Sequence, residues 1–135
     1  MISIVIINYN SIKYLYKNIN SIINSDFNDI NYEIVIVDNN STAKPNNQDF
    51  KNPKIKFLFL DKNMGYSYAL NYGISYTTGK YILVCNADVY FKKNSIKKLY
   101  DYYLDNKPGV LGSRILNFNG AFQKYSRRRF PFFKY

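Results

Sequence analysis

The 135-residue sequence contains one cysteine, Cys85, and no histidine. A single cysteine excludes an intrachain disulfide, and its position inside an apolar run indicates a small buried side chain, which fits a reducing cytoplasm. No run approaches the roughly 18 apolar residues that span a bilayer, and no basic leader precedes the first apolar run. We therefore expect a soluble protein without a targeting segment.

Acidic residues are scarce, with 9 Asp and Glu against 19 Lys and Arg, so the formal net charge is +10. This excess indicates an anionic partner such as a nucleotide, a nucleic acid or a membrane surface, without choosing among them. The apolar share of 47% is enough for a core. We expect one compact domain over residues 1–135.

Short apolar, β-branched runs alternate with helical patterns along residues 1–107. The predicted strands are Ile2–Ile7, Glu33–Val37, Ile55–Leu60 and Tyr81–Cys85. The predicted helices run from Ile12 to about Asn24, capped by Asn10 or Ser11, from Tyr66 to Tyr76, with Gly79 as a left-handed terminus, and around Ile96–Tyr103. This order predicts an α/β fold with a Rossmann-like, mostly parallel sheet and helices on both faces.

The pattern changes after Pro108. Residues Val110–Leu116 are strand-like, Asn119 and Gly120 are typical of a hairpin turn, and Phe122–Arg129 can return antiparallel. We therefore predict a C-terminal β-hairpin within residues 108–135.

Polar side chains follow the predicted strands at the points where the strands end. They are Asn8, Tyr9 and Asn10, then Asp38 and Asn39, then Asn86 and Asp88. Because parallel strands place their carboxyl ends on one edge of the sheet, these side chains should converge there. A carboxylate in that position can hold a divalent cation against a pyrophosphate.

Four segments carry a resemblance to a known family: IVIINYNS ending at Ser11, EIVIVDNNS ending at Ser41, NMGYSYALNYG ending at Gly73 and GKYILVCNADV ending at Val89. In order and spacing the chain resembles the donor-binding part of a family 2 glycosyltransferase, closest to rhamnosyltransferase-like members. The resemblance implies an incomplete GT-A fold, with residues 1–107 as the nucleotide-binding core and residues 108–135 as the start of an acceptor-side segment.

The same resemblance implies an activity and its partners. The protein would transfer a sugar from a nucleotide-diphosphate sugar to a saccharide or lipid-linked acceptor, with inversion, in cell wall or polysaccharide biosynthesis. It implies no nucleic-acid partner, and a cytoplasmic location with peripheral association at the inner face of the membrane.

The resemblance also assigns roles to individual residues. Tyr9 would stack on the nucleotide base, Asp38 would accept a hydrogen bond from the base or ribose, and Asp88 would hold Mg²⁺ or Mn²⁺. Asn86 occupies the first position of the metal motif, which lowers the charge of the site without excluding a metal. As alternatives, Tyr9 is a packing aromatic, Asp38 a turn former, and the Asn-Ala-Asp trio only a turn.

Further candidates lie around these positions. The nucleotide side also includes Asn10, Asn39, Asn63 and Gly65, with Asn71 and Gly73 as weaker members. Gln123, Arg127 and Arg128 are candidates for the phosphate or acceptor side, together with Arg129, because guanidinium geometry suits phosphate oxygens. A basic surface hairpin is the equal alternative for that segment.

No side chain of this sequence is assigned as the general base. The edge carboxylates match donor, loop and metal roles better, so we expect the base beyond Tyr135 and expect this chain to bind a donor but to transfer poorly or not at all. Two alternatives stay open: a sugar nucleotidyltransferase, which lacks support because residues 8–11 contain no glycine or cation, and a non-catalytic basic module that binds nucleotides, nucleic acid or anionic lipid.

Overall fold

A computed structural model describes residues 1–126, except for the side chains of Asn47 and Tyr125. Four strands and three helices form in the predicted order: β1 (Ile2–Asn8), α1 (Ile12–Ile23), β2 (Tyr32–Asp38), β3 (Ile55–Phe59), α2 (Tyr66–Ser75), β4 (Tyr81–Asn86) and α3 (Ser95–Asn106). Short 3-10 helices occupy Asn47–Asp49 and Lys124–Ser126. The chain divides into two compact units, Met1–Lys98 and Leu99–Tyr135, at a point within α3.

The sheet is parallel throughout, with the strand order β3-β2-β1-β4. β1 is central, and it pairs Ile7 with Val37 of β2 and with Asn86 of β4. Every residue of β1 is buried, which explains its continuous apolar run, since both faces of a central parallel strand are covered. The predicted Rossmann-like parallel sheet is confirmed.

The two faces of the sheet carry different helices. α2 lies against one face, where a Cβ on Gly73 would stand 2.8 Å from the side chains of Val5 and Val37. α1 lies on the other face, where the amide of Asn18 reaches the Cys85 sulfur. Alternation along the strands therefore divides the core into two layers, and the prediction of helices on both faces is confirmed.

The predicted ends of the helices need two corrections. Ser11 is the N-cap of α1 but makes no capping hydrogen bond, because its hydroxyl donates to the carbonyl of Tyr9 instead. Gly79 is not the left-handed terminus of α2, which ends at the C-cap Tyr76. The reason for a glycine at 79 is close packing, since a Cβ there would lie 2.4 Å from the Ser3 hydroxyl oxygen.

The predicted hairpin is reduced to a turn. Within residues 99–126, Leu116 and Phe122 form a single antiparallel bridge, closed by hydrogen bonds from Asn117 N to Ala121 O and from Gly120 N to Asn117 O. Residues 110–115 form no strand, so the strand prediction for 110–116 is wrong apart from its last residue. Its first residue, Val110, is 91% exposed, because no neighbouring strand covers it in the described part of this unit.

None of the helices within residues 1–126 combines the length and the apolar character of a transmembrane helix.

Candidate functional site

The order in which strands are added to the sheet changes side at β1. β2 and β3 are added on one side of β1, and β4 is added on the other. In open α/β sheets, ligands bind at such a switch point, outside the carboxyl ends of the strands. A cleft of about 430 Å³ opens there, a volume in the range of small-molecule sites. Its lining comes from four loops and from the ends of the strands and helix that they join: Ile7, Tyr9, Ser11, Asn39, Asn63, Gly65, Tyr66, Asn86, Ala87 and Asp88.

The loop after β1 presents Tyr9 to this cleft. Tyr9 is 49% exposed although it follows a fully buried strand. The next residue, Asn10, adopts a left-handed conformation with φ of 52° and is held by Ser41, whose hydroxyl oxygen accepts a hydrogen bond from Asn10 N at 2.9 Å. Asn10 Oδ1 in turn accepts a bond from Thr42 N, so Asn10 fixes the loop and does not line the cleft.

Asp38 is fully buried at the end of β2, and it does not line the cleft. Its two carboxylate oxygens accept hydrogen bonds from Asn8 Nδ2 at 2.8 Å and from Ser41 N at 2.9 Å. Asn8 Nδ2 also donates to Ser41 Oγ at 3.1 Å. In this structure Asp38 therefore joins the loops after β1 and β2, since a buried carboxylate must be hydrogen-bonded.

Asn39 connects the end of β2 to the segment before α2. Its side chain donates to Asn63 Oδ1 at 2.8 Å and accepts from Met64 N at 2.9 Å. Asn63 Oδ1 also accepts from Gly65 N at 2.9 Å. Gly65 has a φ of 81°, which is costly for residues with a Cβ, so its glycine is required by the backbone at the start of α2.

The turn after β4 carries the candidate metal ligand. Val89 N donates to Asn86 O at 3.3 Å, which closes a turn with Ala87 and Asp88 at its centre. Ala87 is buried, whereas Asp88 is exposed and makes no hydrogen bond or ion pair with residues 1–126. No cluster of three or more potential acidic, thiol or imidazole ligands exists in the described part of the chain.

The donor set of this turn nevertheless fits Mg²⁺ or Mn²⁺. The Asp88 carboxylate and the Asn86 amide offer the oxygen ligands that hard cations prefer, and both side chains are exposed in the cleft lining. One or two carboxylates suffice when phosphates and water complete the coordination.

The cleft has two polar side chains that sequence reasoning does not assign to it. Ser11 is predicted only as a helix cap, and Tyr66 only as the first residue of α2. Burial and then the nearby Cys85 thiol raise the pKa of Tyr66, so it is a neutral hydroxyl in this wall at neutral pH. A signal was available in the sequence, because Tyr66 directly follows Gly65.

Some candidates lie elsewhere. Gly73 is buried on the side of α2 that packs against Val5 and Val37 of the sheet. Asn71 is exposed on that helix outside the cleft lining, and Gln123 belongs to the unit that begins at Leu99. Arg127, Arg128 and Arg129 lie outside the described residues. Cys85 is buried below the cleft, where desolvation raises the pKa of its thiol to about 12 and excludes a thiolate nucleophile at neutral pH.

Known proteins share this fold. The chain is similar to TarS of S. aureus, residues 1–349, with a TM-score of 0.71 and 25% identity over 78% of this chain and 33% of that one. It is also similar to the mannosyltransferase PcManGT from Pyrobaculum calidifontis, a complex with GDP-Man and Mn²⁺, with a TM-score of 0.69 and 16% identity over 78% and 32% of the two chains. The GT-A fold implied by the resemblance is confirmed.

The chain is also similar in sequence to curated proteins of glycan and teichoic acid biosynthesis. The low-salt glycan biosynthesis hexosyltransferase Agl10 of Haloferax volcanii is 32% identical over 126 residues, which is 88% of this chain and 38% of that protein. The minor teichoic acid biosynthesis protein GgaA of Bacillus subtilis is 31% identical over 115 residues, or 79% and 26% of the two chains. The chain thus spans less than half the length of these relatives. Residues 3–135 match the family described as glycosyl transferase family 2, and the chain belongs to that family.

Proposed function

We propose that this chain binds a nucleotide-diphosphate sugar in the cleft at the carboxyl edge of its sheet, as the donor-binding part of a glycosyltransferase. The observation that supports this most is the convergence of four loops on one cleft, with an aromatic side chain from the first and a carboxylate from the last. Residues 1–107 would form the donor-binding part.

Different side chains of the cleft lining suit different portions of the donor. Tyr9 offers an exposed aromatic face on which a base can stack, as aromatic faces do for any base. Asn39 and Asn63 are hydrogen-bonded to each other in the cleft lining, and their amide groups would lie near the ribose or sugar. The left-handed Gly65 adds no side chain, so a ligand can approach the backbone there.

Asp88, with Asn86 beside it, would hold Mg²⁺ or Mn²⁺, which neutralises diphosphate charge when bound. The protein's own contribution is to place an exposed carboxylate at the rim of the cleft while Ala87 anchors the turn inside. Arg127 and Arg128 are proposed for the phosphate side on their basic chemistry alone.

The acceptor would be a saccharide or a lipid-linked saccharide, at the inner face of the membrane. The names of the relatives, which concern glycan and teichoic acid biosynthesis, support that acceptor class. A general base for the acceptor hydroxyl is proposed outside residues 1–135, since Asp88 is assigned to the cation, Asp38 is buried and Asp61 does not line the cleft.

Calorimetry with UDP, dTDP and GDP, each with and without Mn²⁺, tests this proposal. We expect one nucleotide to bind best, and Mn²⁺ to strengthen its binding in the unaltered chain but not in Asp88→Ala. The loss should be about tenfold or more in affinity, or at least about 1.4 kcal/mol.

Asp61→Ala is the matched control, because Asp61 is an exposed aspartate that follows β3 but does not line the cleft. It should retain the Mn²⁺-dependent affinity. Equal, metal-independent affinities for all three nucleotides and all three proteins would end the transferase proposal and would favour a basic binding module.

A further inference from the structure

Asn18 is a fully buried amide in the middle of α1, on the helix face that meets the sheet. Its Nδ2 donates to the carbonyl oxygen of Asn86 at 3.2 Å and to that of Val89 at 2.5 Å. The sulfur of Cys85 lies 3.8 Å from the same nitrogen. Three acceptors from one short segment therefore surround a single side-chain nitrogen.

The two carbonyls belong to the first and last residues of the turn that carries Asp88. That turn is closed by the bond from Val89 N to Asn86 O, and Asp88 is its exposed central residue. A donor that binds both ends of a four-residue turn fixes the backbone on which the carboxylate is mounted. Asn18 thus restrains the position of Asp88 indirectly, through hydrogen bonds to the backbone on either side of it.

Neighbouring contacts extend this attachment along the same segment. Ser21, one helical turn after Asn18, donates its hydroxyl to Asn18 O at 2.7 Å and accepts from Phe91 N at 3.0 Å. Asp26 N donates to Lys93 O at 2.7 Å. α1 and the residues after it thereby hold the whole stretch from 86 to 93.

The other half of the Asn18 amide points to a functional reason for this residue. Asn18 Oδ1 is buried and finds no hydrogen-bond partner in the described part of the chain. A buried amide that satisfies only its donor side is a poor choice for packing, since an apolar side chain of the same size would avoid the unpaired oxygen. An apolar side chain could not donate the hydrogen bonds to the turn, and this explains why an amide stands here.

We propose that Asn18 is a positioning residue that holds Asp88 in the orientation needed to bind a divalent cation. This inference rests on the proposed function, because Asn18 would orient the residue that holds the cation in that function. Residues that hold a metal ligand in place without touching the metal commonly lower the metal affinity by about 10–100-fold when they are mutated.

Asn18→Leu is the most informative variant, because it removes the donor and the unpaired oxygen together and keeps the number and branching of the side-chain heavy atoms. We expect the affinity for Mn²⁺ with UDP to fall about tenfold or more. The melting temperature should fall only modestly, because removal of the buried unpaired oxygen offsets part of the loss of the donor to the two carbonyls. The affinity for UDP without metal should not change. Asn18→Ala serves as a second variant if the leucine disrupts packing, with the same expected loss.

Two controls separate positioning from general stability. Asn20→Leu alters an exposed asparagine of the same helix and should leave the Mn²⁺-dependent affinity unchanged. In the Asp88→Ala background, Asn18→Leu should cause no further loss of affinity, because the two residues act through one cation. Metal-independent losses, or additive losses in the double variant, would overturn the inference.

Amide hydrogen exchange in the metal-free chain tests the same idea without a ligand. The amides of residues 86–89 should exchange faster in Asn18→Leu than in the unaltered chain, while those of β1 stay protected. Unchanged exchange together with unchanged Mn²⁺ affinity would overturn the role of Asn18 alone. An unaltered chain that shows no Mn²⁺-dependent nucleotide binding would overturn the proposed function, and the cation role of Asn18 with it.

Discussion

At the scale of single residues, buried polar side chains hold the loops from which exposed ones reach the cleft. Asp38 is enclosed and bonded to Asn8 and Ser41, while Tyr9 and Asp88 are exposed. Sequence alone could place Asp38 at a strand end but could not show which way its carboxylate turns. The direction is set by hydrogen bonds from Asn8 and Ser41, which the sequence pattern does not reveal. Its predicted contact with a base or ribose stays a prediction.

Asp38→Ala separates the framework role from that direct contact. Removal of the carboxylate leaves Asn8 Nδ2 with only Ser41 Oγ as acceptor and leaves Ser41 N–H with none, so the free energy of unfolding should fall by about 1–3 kcal/mol. Urea denaturation measures this, with the exposed Asp105→Ala as control. Full stability combined with a loss of nucleotide affinity would instead favour direct contact by Asp38.

At the scale of elements, the strands were predictable because their apolar runs are continuous and β-branched, and each observed end lies within one residue of its prediction. The parallel edge then followed, and with it the meeting of Tyr9, Asn39 and Asp88. The strand proposed at 110–116 failed because period-2 patterning does not supply a partner strand. The bond from Asn18 to the Asp88 turn had no local signal, since it joins residues about 70 positions apart.

Gly79→Ala should disrupt the start of β4. The new Cβ would stand 2.7 Å from Ser3 N and 2.4 Å from Ser3 Oγ, and a backbone atom cannot move aside cheaply. We expect a loss of about 1–3 kcal/mol in the free energy of unfolding, measured by chemical denaturation. Gly112→Ala, where nothing lies within 4 Å of an added Cβ, should be near neutral. Equal stabilities for both variants would refute tight packing at Gly79.

Glu33 ties the amino-terminal ends of β1 and β2 to the segment before β4. Burial opposes its ionisation, but hydrogen bonds from Ser3 Oγ and from Thr78 N and Oγ1, with the charge of Lys56, outweigh burial and hold the pKa of Glu33 below its usual value. A lowered folded-state pKa means that the ionised form stabilises the fold above the unfolded pKa near 4.5, and that this contribution disappears as the pH falls through the folded pKa.

Glu33→Gln should therefore destabilise the protein by about 1 kcal/mol or less at pH 7, because solvent screens this partly exposed carboxylate, and by less still at pH 3. Urea denaturation at both pH values gives the difference, and the exposed Asp29→Asn controls for a change in net charge. An equal loss at the two pH values would show that the Glu33 charge does not contribute.

At the scale of the whole molecule, the net charge of +10 and the cleft would bind anionic partners in two different ways. Diffuse positive charge attracts any polyanion and is screened by salt, over a Debye length of about 8 Å at physiological ionic strength. A cleft that combines aromatic, amide and carboxylate groups selects a ligand by shape and hydrogen bonding. The carboxylate at its rim is unfavourable for a bare phosphate and favourable for one that arrives with a cation.

Salt dependence distinguishes these two modes of binding in one protein. Between 50 and 200 mM KCl, affinity for a single-stranded oligonucleotide that contacts six or more phosphates should fall by about 300-fold or more, because counterion release drives it. Affinity for UDP with Mn²⁺ should fall by less than about tenfold over the same range, since few charges are exchanged and the cation contact is local. Fluorescence titration of both ligands into the chain and into Asp88→Ala measures the two slopes. If nucleotide and oligonucleotide affinities fell in parallel, in both proteins, the binding would belong to the surface charge and not to the cleft.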